Sequence, residues 1–357
     1  MKNKWMRTTV AALSPYVVAP IAETRVVNAN ENYLNVLALP GVREELISDL
    51  ENFMPAKYPD PMAETLRKDL AAYIGCRSEN ILCGNGGDEM ITTVLGTFLN
   101  PGDTLLTHTP TFDMYAIGAD ILGARVFPIP DVPGYRRNTD ALLAAVSKLQ
   151  PKLTVICNPN NPTGELLPKS FIEEILKIAG GLVFVDEAYM EFAKEEESVK
   201  GLIGKYPNLI ILRTLSKAFA MAGCRLGYVV ADAEIISALT KIKPPYNVNS
   251  FTQLLAPIVL HQRKEILKIR DTICDERDKL FDALSEIPAL SVYPSRTNFL
   301  LVQTGKNHEA IFEALRRENI LVKIYRNRPD LPNAYRITVT DPDTNSLILK
   351  VFREALS

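Results

Sequence analysis

Arg213-Thr-Leu-Ser-Lys217-Ala-Phe-Ala-Met-Ala-Gly223-Cys-Arg225-Leu-Gly227 follows directly on the apolar run Leu209 to Leu212. A stretch of β-formers that stops at two hydroxyl residues and a lysine reads as a strand end feeding a site. Desolvation at such a place disfavours the charged form of the lysine, which frees its amine to condense with an aldehyde. The Thr214 and Ser216 hydroxyls with the planar fork of Arg225 suit a phosphate. An ordinary Ser-X-Lys surface turn fits the tripeptide equally well, so the surrounding segments have to decide.

Three further strand ends do so. Leu153 to Cys157 is a fully apolar run of the parallel-sheet kind that stops at Asn158-Pro-Asn-Asn161-Pro-Thr-Gly164. That places an amide at the carboxyl edge of the sheet, where open α/β sheets bind ligands. Gly181 to Val185 ends in Asp186-Glu-Ala-Tyr189, and Asn80 to Cys83 runs through Gly84-Asn-Gly-Gly87-Asp88-Glu89 into an apolar helix, Met90 to Leu99. A glycine turn entering a helix offers free N–H groups and the positive end of the dipole to an anion. Pro110-Thr-Phe112-Asp-Met-Tyr115 follows the strand Thr104 to His108 and brings two aromatic rings to the same edge. An aldehyde-bearing, phosphorylated, flat ring that needs a carboxylate at its nitrogen is pyridoxal phosphate, which supplies an electron sink.

Outward from these segments, strands alternate with helices over residues 80 to 231, with helices at 139 to 150 and 170 to 179. The pattern predicts an α/β fold with a mostly parallel sheet covered on both faces. Before it lie a short strand, Arg25 to Ala29, and helices Val42 to Phe53 and Met62 to Ile74. Past Pro244-Pro245 the character changes to a long helical stretch, 251 to 285, in which Arg263 to Arg277 reads as a solvated face. An α+β unit follows, with strands 297 to 303, 321 to 325 and 336 to 339 and helices 309 to 318 and 345 to 355. The expected division is a large domain, 36–245, and a discontinuous small domain, 1–35 with 246–357.

Composition narrows the function classes. The chain has 357 residues, 47% of them hydrophobic, and a formal charge of −2 without long charged runs. That gives no footprint for nucleic acid or an anionic membrane, and no apolar run reaches the ~20 residues of a membrane span. Five scattered cysteines without a CxxC point to free thiols in a reducing compartment, and three isolated histidines give no metal site. Lys2, Lys4 and Arg7 ahead of Thr8 to Ala22 imitate an export signal, but Pro15, Tyr16 and Pro20 interrupt the run. A cytoplasmic location is expected.

GNGGDE, NPNNPTG, FVDEAYMEF and RTLSKAFAMAGCRLG, in this order and spacing, resemble the fold-type-I pyridoxal phosphate enzymes, and more narrowly the histidinol-phosphate aminotransferase family. The resemblance runs from Leu13-Ser-Pro-Tyr16 to Tyr335-Arg336-Ile-Thr-Val339. It implies a mixed, mostly parallel seven-stranded sheet between helices and a smaller α+β domain. It makes Lys217 the lysine that binds the cofactor and moves the Cα proton, and Asp186 the partner of the ring nitrogen. Asn161 and Tyr189 hold the phenolic oxygen, and Phe112, or in second place Tyr115, stacks on the ring. The phosphate is gripped by the N–H groups of Gly87 and Asp88, by Thr214, Ser216 and Arg225, and by Tyr58 from a second subunit, which implies a homodimer with shared sites. Arg336, supported by Tyr16, binds the substrate's carboxylate or phosphate. The amino donor and 2-oxoglutarate are the small-molecule partners.

Two departures bear on the substrate. The family commonly has a second arginine thirteen residues before Arg336, where this chain has Lys323, with Arg326 and Arg328 nearby. Lysine is a point charge without the bidentate fork. The family's Asn-Glu-Asn-Pro also ends here in Tyr33. Threonine-phosphate decarboxylase and aromatic or other amino acid aminotransferases share the fold and cofactor residues and are the rival enzymes. A relative fused to a DNA-binding module would need a further N-terminal domain of about 50 residues, and a sugar-nucleotide relative without transaminase chemistry usually lacks the lysine.

Overall fold

The computed structural model describes residues 5–14, 21–305, 307–326 and 328–356. Twelve strands form two sheets: β1 (Arg25–Val27), β2 (Ile81–Asn85), β3 (Thr104–Thr109), β4 (Arg125–Pro130), β5 (Leu153–Cys157), β6 (Leu182–Asp186), β7 (Leu209–Thr214), β8 (Leu226–Ala231), β9 (Leu290–Tyr293), β10 (Phe299–Thr304), β11 (Ile320–Tyr325) and β12 (Ala334–Thr338). The larger sheet has seven strands in the order β2-β8-β7-β6-β5-β3-β4. Its pairings are parallel except for the two made by β8, which runs against β2 and β7. This is the mixed, mostly parallel α/β sheet of a fold-type-I transferase.

Alternation along the strands sends successive side chains to opposite faces. Phe184, Ile210 and Leu212 meet the layer of helices Gly87–Phe98, Met114–Leu122 and Ala233–Thr240. Val183, Val185, Leu209 and Ile211 meet a second layer that includes Leu142, Val146, Ile172 and Ile175 of helices Thr139–Leu149 and Lys169–Ile178. Both faces being covered, every residue of β5, β7 and β8 is buried.

The smaller sheet has the order β1-β11-β12-β10-β9, with β1 parallel to β11 and the other pairs antiparallel. The N-terminal β1 is thus an edge strand of a sheet otherwise built from residues 290–338. The short helix Thr8–Ala11 lies elsewhere: Arg7 and Thr9 both donate to the carbonyl of Ile121, on the helix Met114–Leu122 of the large-sheet layer.

Three features depart from the sequence reading. The helix Met114–Leu122 occupies what reads as an aromatic turn after β3, and it closes at Gly123, whose φ of 76° is the left-handed conformation glycine favours. The expected helical stretch 251–285 is two helices, Ser250–His261 and Arg263–Ser285, meeting at Gln262. The charged face 263–277 also contains a buried member, Arg277, 3% exposed, whose guanidinium donates to the Thr297 carbonyl and pairs with Asp278.

Candidate active site

Strands β2, β3, β5, β6 and β7 all point their carboxyl ends at one edge of the large sheet, and the antiparallel β8 begins there. That topology gathers segments more than a hundred residues apart in sequence. From β2 the chain turns at Gly86, with φ 86°, into the helix Gly87–Phe98, whose first turn carries Asp88. Arg225, at the start of β8, reaches back to Asp88 with its Nη2 at 3.1 Å from the carboxylate. The space is cut for glycine: a Cβ on Gly86 would stand 2.4 Å from the Arg225 Nη2, and one on Gly227 would stand 2.5 Å from both the Gly86 carbonyl carbon and the Gly87 nitrogen. At the end of β7 the Thr214 hydroxyl donates to the Leu226 carbonyl, and the Ser216 hydroxyl lies 2.9 Å from it. Backbone N–H groups, two hydroxyls and a guanidinium therefore converge at one helix N-terminus. The close packing gives a first expectation: Gly227→Ala forces backbone apart and costs at least about 1–3 kcal/mol of stability, seen as a lower thermal midpoint and weaker phosphate-group binding.

Lys217 follows in the same turn. Its amine donates to the Ala29 carbonyl at 2.8 Å and stands 5.8 Å from the centre of the Tyr189 ring. Burial, and after it the positive charge of Arg336, lower the Lys217 pKa to about 8, against opposing attraction from Glu31 and Asp88. The amine is therefore largely neutral only above that value. In cofactor-free protein its condensation with an aldehyde is expected to speed up with a midpoint near pH 8, followed by stopped-flow absorbance across pH. A midpoint near the ordinary lysine value of 10.5 would contradict the burial argument.

Asp186 ends β6 with 4% exposure. Burial pushes its pKa up to about 6, while hydrogen bonds from the Tyr115 hydroxyl, at 2.5 Å, and the Ala188 N–H, at 2.9 Å, pull it down. Tyr115 is fully buried, and Phe112, half-buried, meets it edge-on at 5.7 Å between centroids. Of the two rings considered for stacking, Tyr115 is committed to Asp186, and Phe112 is the more open.

The small domain closes the site from the other side. Arg336 of β12 donates to Asn161 Oδ1 and to the Asn28 carbonyl, each at 2.6 Å, and its guanidinium lies 5.4 Å from the Phe299 ring. Tyr189 packs edge-on against that ring and receives a hydrogen bond from Asn30 Nδ2 at 2.8 Å. Asn30 was not anticipated as a site residue. Its φ of 56° lets its amide touch Tyr189 while its own N–H reaches Thr338; the polar run Asn28 to Asn32 was the only signal. Asn32 extends the tie to the Lys217 and Ala218 carbonyls.

Lys323 sits opposite Arg336 in the β11–β12 pairing. Burial, then Arg336, lowers its pKa. Arg326 is held by Glu309 through two hydrogen bonds of 2.7 Å, and Arg328 is clamped by Asp113 and Asp330. Tyr58 stacks on Tyr246 at 4.5 Å and is 81% exposed. Tyr16 lies outside the described residues. Among the described residues no cluster of three or more His, Cys, Asp or Glu could hold a metal ion, and no helix is long and apolar enough to cross a membrane.

The model of the aminotransferase class I and II family matches residues 24–352. The chain belongs to the class I and II aminotransferases. It is 38% identical over 361 residues to the histidinol-phosphate aminotransferase of Thermoanaerobacter pseudethanolicus, covering all of both chains, and 41% identical over 301 residues to that of Caldanaerobacter subterraneus, covering 84% of each. In structure it superposes on histidinol-phosphate aminotransferase from Sinorhizobium meliloti in complex with pyridoxal-5'-phosphate with a TM-score of 0.88, 24% identity, and 99% and 98% of the two chains covered. For an aminotransferase of this class the site chemistry is coherent: a buried amine, a buried carboxylate and an anion cradle lie at one sheet edge, with a second cationic patch, Lys323 and Arg336, across from them.

Proposed function

We propose that the chain is a histidinol-phosphate aminotransferase that binds pyridoxal phosphate and moves an amino group from L-histidinol phosphate to 2-oxoglutarate. The observation that carries the reading is the reach of Arg336 from the small sheet to Asn161, which sets an anion-binding guanidinium beside the Lys217–Tyr189 pair. Full-length identity to the relatives above supports the donor.

The residues fit the cofactor, because the glycine turn leaves room that a single Cβ would fill and the lysine amine is poised near neutrality. Bound pyridoxal phosphate supplies the electron sink. Lys217 takes the proton from the donor's Cα and returns it as general base and then acid. Asp186 keeps the proton on the ring nitrogen, Asn161 and Tyr189 hold the phenolic oxygen, and Phe112 stacks on the ring. The N–H groups of Gly87 and Asp88, with Thr214, Ser216 and Arg225, grip the phosphate.

Arg336 takes the anionic end of donor or acceptor, with Lys323 as its point-charge companion and Tyr16 in support. Lys323 is preferred to Arg326 and Arg328 for this role because both arginines are already engaged by carboxylates. Losing a hydrogen bond to a charged group costs about 1.5–3 kcal/mol, so Lys323→Ala is expected to raise KM for L-histidinol phosphate by at least about tenfold with kcat within about threefold. Steady-state kinetics would show it, and an unchanged KM would return the role to another residue.

The same reading makes the protein a homodimer in which Tyr58 of the partner subunit completes the phosphate grip. Ile47, Met54, Tyr58 and Tyr246 support it, since these large apolar side chains are 54%, 56%, 81% and 42% exposed in the single chain. We also assign residues 36–245 to the large domain and 1–35 with 246–357 to the small one, and a cytoplasmic location, in keeping with five free cysteines. The function is tested by glutamate formation from 2-oxoglutarate with L-histidinol phosphate against O-phospho-L-threonine and aromatic amino acids. Preference for another donor by tenfold or more in kcat/KM would overturn the assignment.

A further inference from the structure

We propose that Tyr115 is the positioning residue of the ring-nitrogen site: its buried hydroxyl holds the Asp186 carboxylate, as an anion and in one orientation, for the protonated ring nitrogen of the cofactor. The proposal rests on the pyridoxal phosphate reading above.

The alternation of β6 carries the argument. Phe184 faces the helix layer that contains Met114–Leu122, and Asp186, two residues on, leaves the strand on that same face. Tyr115, in the first turn of that helix, is 0% exposed, and its hydroxyl lies 2.5 Å from Asp186 Oδ2. The Ala188 N–H takes Oδ1 at 2.9 Å. Each carboxylate oxygen thus has one fixed donor, which settles the rotation of the group and leaves each oxygen able to accept again. Two donors also favour the charged form of a carboxylate that burial alone would drive towards the neutral acid.

Tyr115 is suited to give and not to take. Burial and the facing Asp186 carboxylate push its own pKa well above the ordinary value, so it stays a hydroxyl donor throughout the working range. On its other side Cys157, at the end of β5 and paired in register with Asp186, is a thiol with a pKa pushed up to about 12 and offers no competing anion. Phe112 closes the arrangement by packing edge-on against the Tyr115 ring. A ring that stacks on the cofactor would not need a hydroxyl; the position occupied by Tyr115 has one, and it is spent on the carboxylate.

The test is cofactor affinity of cofactor-free protein, measured by fluorescence titration for Tyr115 and Tyr115→Phe, with two ligands. One is pyridoxal phosphate. The other is its analogue in which CH replaces the ring nitrogen. Tyr115→Phe is expected to weaken pyridoxal phosphate by about tenfold and the analogue by less than twofold, with the thermal midpoint of the cofactor-free protein nearly unchanged. Equal weakening of both ligands would reduce Tyr115 to a packing role and overturn the proposal, as would no weakening of either. If Tyr115→Phe does not fold, Tyr115→3-fluorotyrosine keeps the shape and strengthens the donor, and must tighten pyridoxal phosphate at least twofold without affecting the analogue; equal affinities overturn the proposal. A protein that binds pyridoxal phosphate but does not transaminate L-histidinol phosphate would fail the substrate reading alone, because the affinities are read without turnover. One that does not bind pyridoxal phosphate would sink both.

Discussion

Lys217→Ala is expected to lose turnover by at least about 10⁴-fold, because a single side chain serves as covalent anchor and as proton carrier. Its amine is the nucleophile that burial and Arg336 bring to a pKa of about 8, and no other lysine stands against the Tyr189 ring among the described residues. The visible band of the lysine-bound cofactor should vanish, while the phosphate cradle, built from Gly87, Thr214, Ser216 and Arg225, still retains the cofactor. Absorbance and single-turnover assays separate the two effects. Substantial activity in Lys217→Ala would mean that the fold serves a different chemistry.

Asp186→Ala carries the second largest effect. The carboxylate ends a strand buried on both faces, 4% exposed and held by Tyr115 and the Ala188 N–H. Preorganised charge of this kind, shielded from water, is worth about 10²–10³ in rate per interaction removed. Loss of the full negative charge that keeps the ring nitrogen protonated is therefore expected to cost at least about 10³-fold in kcat, with KM for 2-oxoglutarate nearly unchanged. Asp186→Glu, with the charge kept but displaced, should recover part of it. A kcat within tenfold of the parent in Asp186→Ala would remove Asp186 from the ring-nitrogen role.

Much of this site was legible in the sequence because the chemistry sits at strand ends. Apolar runs such as Leu153 to Cys157 and Leu209 to Leu212 can only be central parallel strands, and whatever follows them must lie at the carboxyl edge. Asp186, Asn161, Thr214 and Lys217 were found that way, and the order of the strands in the sheet then brings them together. The contacts that cross between sheets were not legible. Asn30 reaches Tyr189 because a single residue turns into left-handed conformation after β1, and nothing in a polar string says which of its three asparagines will do so. Tyr115 looked like a ring for stacking because the helix Met114–Leu122 starts immediately after a Pro-containing turn and is rich in small residues, which hides its periodicity. Once that helix is present, Tyr115 points into the sheet and not across the cofactor edge. Strand β9 escaped notice for a plainer reason: its four residues are only partly buried and show no clean alternation.

The substrate end depends on geometry that spacing conveys only in part. Lys323 and Arg336 are thirteen positions apart in sequence, yet face each other across β11 and β12. That pairing makes the lysine a neighbour of the arginine whatever its identity, and it puts two cations side by side. Such a pair stabilises a dianionic phosphate more than a single carboxylate, which is why a phosphorylated donor suits this site.

The most direct measurement is the visible spectrum of the purified, cofactor-loaded protein on addition of L-histidinol phosphate alone, then of 2-oxoglutarate, beside a sample given O-phospho-L-threonine. The account predicts that the band of the lysine-bound cofactor disappears stoichiometrically with L-histidinol phosphate and returns with 2-oxoglutarate. An unchanged band with L-histidinol phosphate, together with release of carbon dioxide from O-phospho-L-threonine, would contradict it and make the protein a decarboxylase on the same scaffold.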